Sequence, residues 1–204
     1  MRVLDCYLPV FTLVTRFEHQ TEDFSDYDDF HQQCIRVLEQ AVQDAGQLKL
    51  SGRERDDALF AVVVWLDERI LCSAHPESSR WRTSLMQLRY FQTTVGGNEF
   101  FNRLNKLEDV HQQVRNVYLF CLQRGFHGKY GTQDADELAT VIEQQRQRCL
   151  PKSWQAWPNN EAITPITIPQ RRSPLLERHR MAWALLTITL FYGFLLLVQT
   201  LYFL

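Results

Sequence analysis

The sequence lacks every short motif that would announce a chemistry. There is no glycine-rich phosphate loop ending in Lys and Ser/Thr, no His-Glu-x-x-His helix turn, no serine nucleophile between glycines and no dinucleotide-binding glycine triplet. The five cysteines, Cys6, Cys34, Cys72, Cys121 and Cys149, form no C-x-x-C pair, are odd in number and have apolar neighbours. They read as reduced core thiols rather than a disulfide framework or a zinc site. No internal repeat and no convincing strand pattern is present. An N-terminal targeting signal is also missing, because Asp5 interrupts a short apolar opening that has no small-residue cleavage site. Residues 1–149 carry 17 Lys+Arg against 22 Asp+Glu, a net charge of −5. That acidic balance argues against nucleic acid as the main partner.

The most telling absence is charge in residues 181–204, which are dominated by Leu, Phe, Ile, Val, Trp and Tyr. At 1.5 Å per residue such a segment spans roughly 36 Å as a helix, enough to cross a hydrocarbon core of about 30 Å. Arg171, Arg172, Arg178 and Arg180 precede it and no charge follows it. The positive-inside rule then predicts a cytoplasmic N-terminal part and Leu204 on the far side. Trp183 and Tyr202 suit the two interfacial belts, and Gln199 is the only amide within the span.

The soluble part reads as helix after helix. Residues 3–18 are apolar around Pro9, which predicts a kink or a late helix start. The carboxylates Glu22, Asp23, Asp26, Asp28 and Asp29 suit a helix N-terminus; a calcium loop would need a glycine and a terminal glutamate that are missing. The helix they open carries the stripe Tyr27, Phe30, Cys34, Val37, Leu38, Ala41 and Ala45, and Gly46 stops it. Ser51 and Glu54 form a capping box for a helix reaching Cys72, and its uninterrupted apolar run over residues 58–66 predicts burial on all sides. Further helices are expected over residues 80–91, from residue 99, along the stripe Val110, Val114, Val117, Tyr118, Cys121 and Leu122, and over residues 134–149 with Leu138, Val141 and Ile142 inward. Pro151, Pro158, Pro165, Pro169 and Pro174 then mark an extended linker, whose Trp154 and Trp157 are placed to pack back on the domain. The expected organisation is a helical domain over residues 1–150, a proline-rich linker with a basic end over residues 151–180, and an anchor over residues 181–204. The fold class is all-α, a bundle of about seven helices.

Few residues offer chemistry. His31 and Cys34 lie one helical turn apart but lack further metal ligands. Gly96 and Gly97 precede a helix and read either as an anion-binding N-terminus or, more simply, as turn glycines with unusual backbone angles. Asp67 and Glu68 fall in the most apolar helix, Asp67 at the edge of the apolar face and Glu68 opposite it near Asp57 and Glu54. With no Lys or Arg on that stripe, it is expected to be a solvated face or a docking surface for a basic partner.

Three motifs in order, Trp65-Leu66-Asp67-Glu68-Arg69-Ile70, then Gly96-Gly97-Asn98-Glu99-Phe100-Phe101, then Tyr118 to Cys121 leading to Gly125-Phe126-His127-Gly128-Lys129-Tyr130, resemble the DotU/TssL (IcmH) family. The resemblance covers residues 20–150 and extends to the single C-terminal anchor. It implies a non-enzymatic subunit of the type VI secretion membrane complex, without cofactor or metal, in the bacterial inner membrane. The implied cytoplasmic domain is hook-like, a pair of small bundles. The implied partners are the IcmF-like inner-membrane subunit (TssM), through it the outer-membrane lipoprotein (TssJ), the baseplate including TssK, the lipid bilayer and further copies of the chain. Some relatives bind peptidoglycan through a domain after the span; with nothing after Leu204, that role is not expected here. The glycines and aromatics of these motifs read as turns and the core beneath them. Partner docking is expected at Asp67 and Glu68, with Asp57 and Glu54 as lesser members. A Dot/Icm-type type IV subunit, a membrane-tethered enzyme and an unrelated tail-anchored adaptor are the alternatives.

The topology has a direct test. A cysteine added after Leu204 reacts with a membrane-impermeant thiol reagent applied from the periplasm. Labelling only after the inner membrane is opened would reverse the assigned orientation.

Overall fold

The computed structural model describes residues 1–20, 24 and 26–149, with Gln199 alone beyond them. A first compact unit runs Met1–Trp157 and a second Pro158–Leu204. The linker, its tryptophans, the basic flank and the expected membrane span therefore lie outside the described residues, as do Glu22 and Asp23. No helix among the described residues is long and apolar enough to cross a membrane.

The described residues form seven α-helices and no strand: α1 (Val3–His19), α2 (Tyr27–Gly46), α3 (Gly52–Cys72), α4 (Met86–Phe91), α5 (Gly96–Lys106), α6 (Gln112–Gln123) and α7 (Ala135–Cys149). Two 3-10 turns, Pro76–Thr83 and Thr132–Asp134, precede α4 and α7. Local signals set several of these boundaries. Asp26 caps α2 by accepting from the backbone N–H groups of Asp28 and Asp29. Ser51 and Glu54 complete the expected capping box: the Ser51 N–H donates to Glu54 at 2.8 Å and the Glu54 N–H to the Ser51 hydroxyl at 3.2 Å.

The centre of the domain is α3. It packs against α1, α2, α4, α5, α6 and the first 3-10 turn. Its residues 58–66 are all buried except the half-buried Leu59. Each fully buried Val, Leu or Phe of this kind stabilises the fold by about 1.5–3 kcal/mol. Trp65 sits on Phe11 of α1 at a ring separation of 4.4 Å, and Phe11 in turn meets Phe120 of α6 edge-on. A second aromatic cluster, Phe17, Phe24, Phe30 and Trp81, joins α1 and α2 to the first 3-10 turn.

Several expectations need correction. The first helix starts at Val3 and runs through Pro9 to His19. Residues 80–91 are not one helix: a 3-10 turn carries Trp81 inward and α4 begins only at Met86. Val110 is 75% exposed, because it lies in the loop before α6 rather than on its stripe. Cys72 is exposed at the end of α3, while Cys6, Cys34 and Cys121 are buried; all five are free thiols.

Gly96 opens α5 pressed against α3. A Cβ there would stand 2.6 Å from a Val64 methyl and 2.5 Å from Gln87 Oε1. Neither Gly96 nor Gly97 has a positive φ, so close approach and not backbone angle accounts for them. We expect Gly96→Ala to cost about 1–3 kcal/mol, because Val64 is a branched core residue that cannot swing aside. Gly46→Ala, where the added carbon meets nothing within 4 Å, should leave stability unchanged or raise it by up to about 1 kcal/mol. Urea denaturation followed by circular dichroism compares the two; equal effects would contradict the packing at Gly96.

Candidate functional site

The C-terminal half of α3 places four polar side chains where they hold other segments. Successive helical residues point about 100° apart, so Asp67, Glu68 and Arg69 address three different neighbours. The Trp65 indole N–H donates to the Arg124 carbonyl at 3.2 Å. Asp67 accepts from the Trp81 indole N–H at 2.7 Å and from the backbone N–H groups of Met86 and Gln87 at 2.9 and 2.8 Å. Glu68 accepts from the N–H groups of His127 and Gly128 at 2.7 and 2.8 Å. Arg69 donates to Glu18 of α1 at 2.7 Å and to the Gly125 carbonyl at 3.2 Å.

These contacts correct the reading of the acidic stripe. Asp67 has no exposed surface and cannot meet a partner in this fold. Burial pushes its carboxyl up to about 6 against the pull of its three N–H donors, so it is ionised at neutral pH. Since the ordinary value is 3.8, the stability linked to this group is fully present below that pH and is lost as the pH rises through about 6. Glu68 is occupied by two backbone donors and its side chain is 19% exposed. Asp57 is buried, and burial raises its pKa against the opposing charges of Arg103 and Arg53. Besides Arg53 of α3 itself, 3.8 Å from Asp57, a closer compensating cation comes from another helix. Arg103 of α5 binds Asp56 at 2.8 Å and Asp57 at 3.1 Å, and lies over the Phe60 ring. Glu54 is partly exposed, and its hydrogen bond from the Ser51 backbone lowers its pKa.

The motif glycines and aromatics converge on the loop after α6. Gly125 and Gly128 have φ of 84° and 58°, backbone angles that favour glycine. Between them Phe126 is fully buried, 4.2 Å from Phe100. Phe101 meets Tyr130 edge-on at 4.8 Å, and Phe100 packs on Tyr118. Gly97 brings α5 against the Gly128 backbone, where a Cβ would come within 3.1 Å. Glu99 pairs with Arg103 at 3.4 Å along the same helix. Its neighbour Gly96 donates its N–H to Gln87 Oε1 at 3.0 Å, so this helix start is already occupied.

The other chemical candidates do not assemble. His31 approaches the Ser84 carbonyl and its ring packs against Trp81, while Cys34 is buried; no group of three metal-ligating side chains exists among the described residues. In the first turn of α2, Asp28 pairs with Arg80 and Asp29 with Arg36. A cleft of about 430 Å³ is open and lies between the end of α2 and the start of α3, over Tyr7; its charged walls are Arg55 and Asp56.

One residue not singled out in the sequence is central. Arg115 of α6 is fully buried and donates to Gln145 of α7 at 2.7 Å and to the Leu107 carbonyl at 2.6 Å. Burial lowers its pKa. The signal was available: an arginine inside the apolar stripe of α6, four residues from Leu119.

An all-α domain wound about one buried helix, with its motif residues turned inward, is the class this geometry defines. The same fold occurs in solved structures. The cytoplasmic domain of TssL from Acinetobacter baumannii aligns with a TM-score of 0.65 at 23% identity, covering 73% of this chain and 97% of that one. TssL from Vibrio cholerae gives 0.62 at 22%, covering 72% and 94%. SciP/TssL from Escherichia coli Enteroaggregative 042 gives 0.60 at 24%, covering 72% and 87%. No curated protein matches at a significant level. Over residues 2–204 the sequence matches the family described as type VI secretion system protein DotU, and the chain belongs to that family.

The inward role of the stripe predicts a stability effect. Asp67→Asn turns an amide N–H₂ toward at least one of three buried donors and should cost about 1–3 kcal/mol at pH 7. Glu68→Gln should cost less, about 1 kcal/mol, with amide shift changes confined to the loop around His127 and Gly128. Urea denaturation and amide NMR measure both; wild-type stability in Asp67→Asn would contradict the buried clamp.

Proposed function

We propose that this protein is a structural, non-enzymatic subunit of the type VI secretion membrane complex. In this reading residues 181–204 anchor it in the bacterial inner membrane, with the helical domain in the cytoplasm and the C-terminus in the periplasm. The domain links an IcmF-like inner-membrane protein to the cytoplasmic baseplate, and copies of the chain associate with one another. The observation that carries the proposal is the family match over residues 2–204, which includes the linker and the apolar tail. The site geometry supports it. The polar residues that the sequence offered for chemistry, Asp67, Glu68 and Asp57, are occupied by internal hydrogen bonds and ion pairs.

Partner docking at the acidic stripe narrows to the first turns of α3. Glu54 is partly exposed there, and the Asp56 side chain, two residues further along the helix, is 55% exposed. These carboxylates suit a basic surface on the IcmF-like subunit or the baseplate.

A mild-detergent pull-down of the full chain, read by mass spectrometry, tests the assignment. Recovery of an IcmF-like protein with baseplate subunits is expected. Recovery of Dot/Icm-type type IV components would move the chain to that system, and recovery of neither would contradict the proposal. The pair Glu54→Gln and Asp56→Asn removes charge while glutamine keeps the capping box. It should lower recovery of one partner at low salt, with less effect at high salt, since screening acts over about 8 Å at physiological ionic strength. Unchanged recovery at low salt would remove these residues from the contact.

A further inference from the structure

Helix α7 packs chiefly on α6, and of its 15 residues Leu138 and Gln145 alone are buried. Its inward stripe runs Leu138, Val141, Ile142 and Gln145, so it ends on a polar side chain. On α6 the face that holds Arg115 also carries Leu119 and Leu122, both buried, at helical spacing. The seam is therefore apolar over part of its length and polar at the Arg115–Gln145 level. That polar level is incompletely answered. Arg115 Nε is buried and has no acceptor among the described residues. Gln145 and the Leu107 carbonyl accept from its other nitrogens but are neutral, and Asp109 stands 3.9 Å away with its side chain 87% exposed. Desolvation of a buried cation is only partly offset by such partners, and water would serve it better.

We propose that α7 is a releasable strap, which leaves α6 as a unit while α1–α6 stay packed, with Arg115 and Gln145 as its latch. Three observations converge on this. Undocking uncovers a short apolar stripe, and the same step returns the Arg115 guanidinium to water, so the two effects oppose each other. The other helices share the core around α3, whereas α7 leans mainly on one neighbour. A pivot is also in place. Tyr130 is fixed edge-on against Phe101, but Gly131 after it is exposed, and Gln133 to Glu137 are exposed as α7 begins. Few buried contacts and an exposed pivot are the marks of a segment that opens locally at low cost.

Release has two consequences. It bares Leu119, Leu122 and a cation on α6, a surface absent from the closed domain. It also frees the 15 residues of α7, about 22 Å long as a helix and roughly 50 Å when extended. A helix of that length is marginal in water without a surface to pack on, so undocking and melting coincide. By connectivity, a pull from the C-terminal side reaches the domain through α7 first. The inference is independent of the secretion assignment, because it concerns contacts within one chain.

Amide hydrogen exchange of the full chain in lipid nanodiscs, read by mass spectrometry on overlapping peptides, tests the strap. Peptides from both ends of α7 should exchange together, about a hundredfold faster than the middle of α3. Two variants move the latch in opposite directions. Gln145→Glu gives Arg115 an ionised acceptor and should slow exchange throughout α7 by about tenfold. Gln145→Leu keeps the volume but removes the acceptor, and should speed it by about tenfold. Exchange in α1 and α3 should stay as in the wild type in both. Exchange of α7 at the rate of α3, protection that fades gradually toward Cys149 as in fraying, either variant without effect on α7, or changes spread equally through α1 and α3 would overturn the proposal.

Discussion

A largely buried helix cannot carry a charged run unless its charges meet partners, and α3 carries Asp67, Glu68 and Arg69 in succession. An isolated buried carboxylate is prohibitively costly, whereas one that accepts several N–H donors forms strong, charge-assisted bonds. Asp67 meets that condition only if Trp81 turns inward and the chain restarts a helix at Met86. Glu68 meets it only if the loop after α6 presents two successive N–H groups, which the left-handed glycines at 125 and 128 allow. Arg69 requires Glu18 at the end of α1. The placement of three non-adjacent segments follows from the polar end of one helix.

Features governed by local periodicity were legible in the sequence. The stripe of α2, the Ser51–Glu54 box and the apolar run of α3 depend on residues within a few turns of one another, and the structure places them as read. Features governed by distant partners were not. The stripe of Asp57, Glu68 and Glu54 looked uncompensated because Arg103 lies 46 residues beyond Asp57 and Glu68 is answered by backbone rather than by a cation. Residues 80–91 looked like one helix because nothing local shows that Asp67 takes the first N–H groups of α4. Gly96 and Gly128 looked alike as turn glycines, yet one is needed for space against Val64 and the other for a positive φ.

These contacts bear on the proposed function through stiffness. A subunit that joined a membrane complex to a cytoplasmic machine, as proposed, would have to present its surfaces in fixed relation, and a bundle tied by buried polar bonds does so more definitely than apolar packing alone. The motif residues that carry the family likeness, from Trp65 through Tyr130, mostly face inward; they preserve the shape on which outer contacts depend. The surface proposed for partners is made of other residues, Glu54 and Asp56 in the first turns of α3.

Amide hydrogen exchange of the folded chain tests the central claim most directly. Met86, Gln87, His127 and Gly128 lie at a short helix start and in a loop, where exchange is ordinarily fast. If their N–H groups are held by Asp67 and Glu68, they exchange as slowly as the amides in the middle of α3. Exchange at the rate of exposed loops, with α3 itself protected, would show that the clamp does not hold and that the fold rests on apolar packing alone.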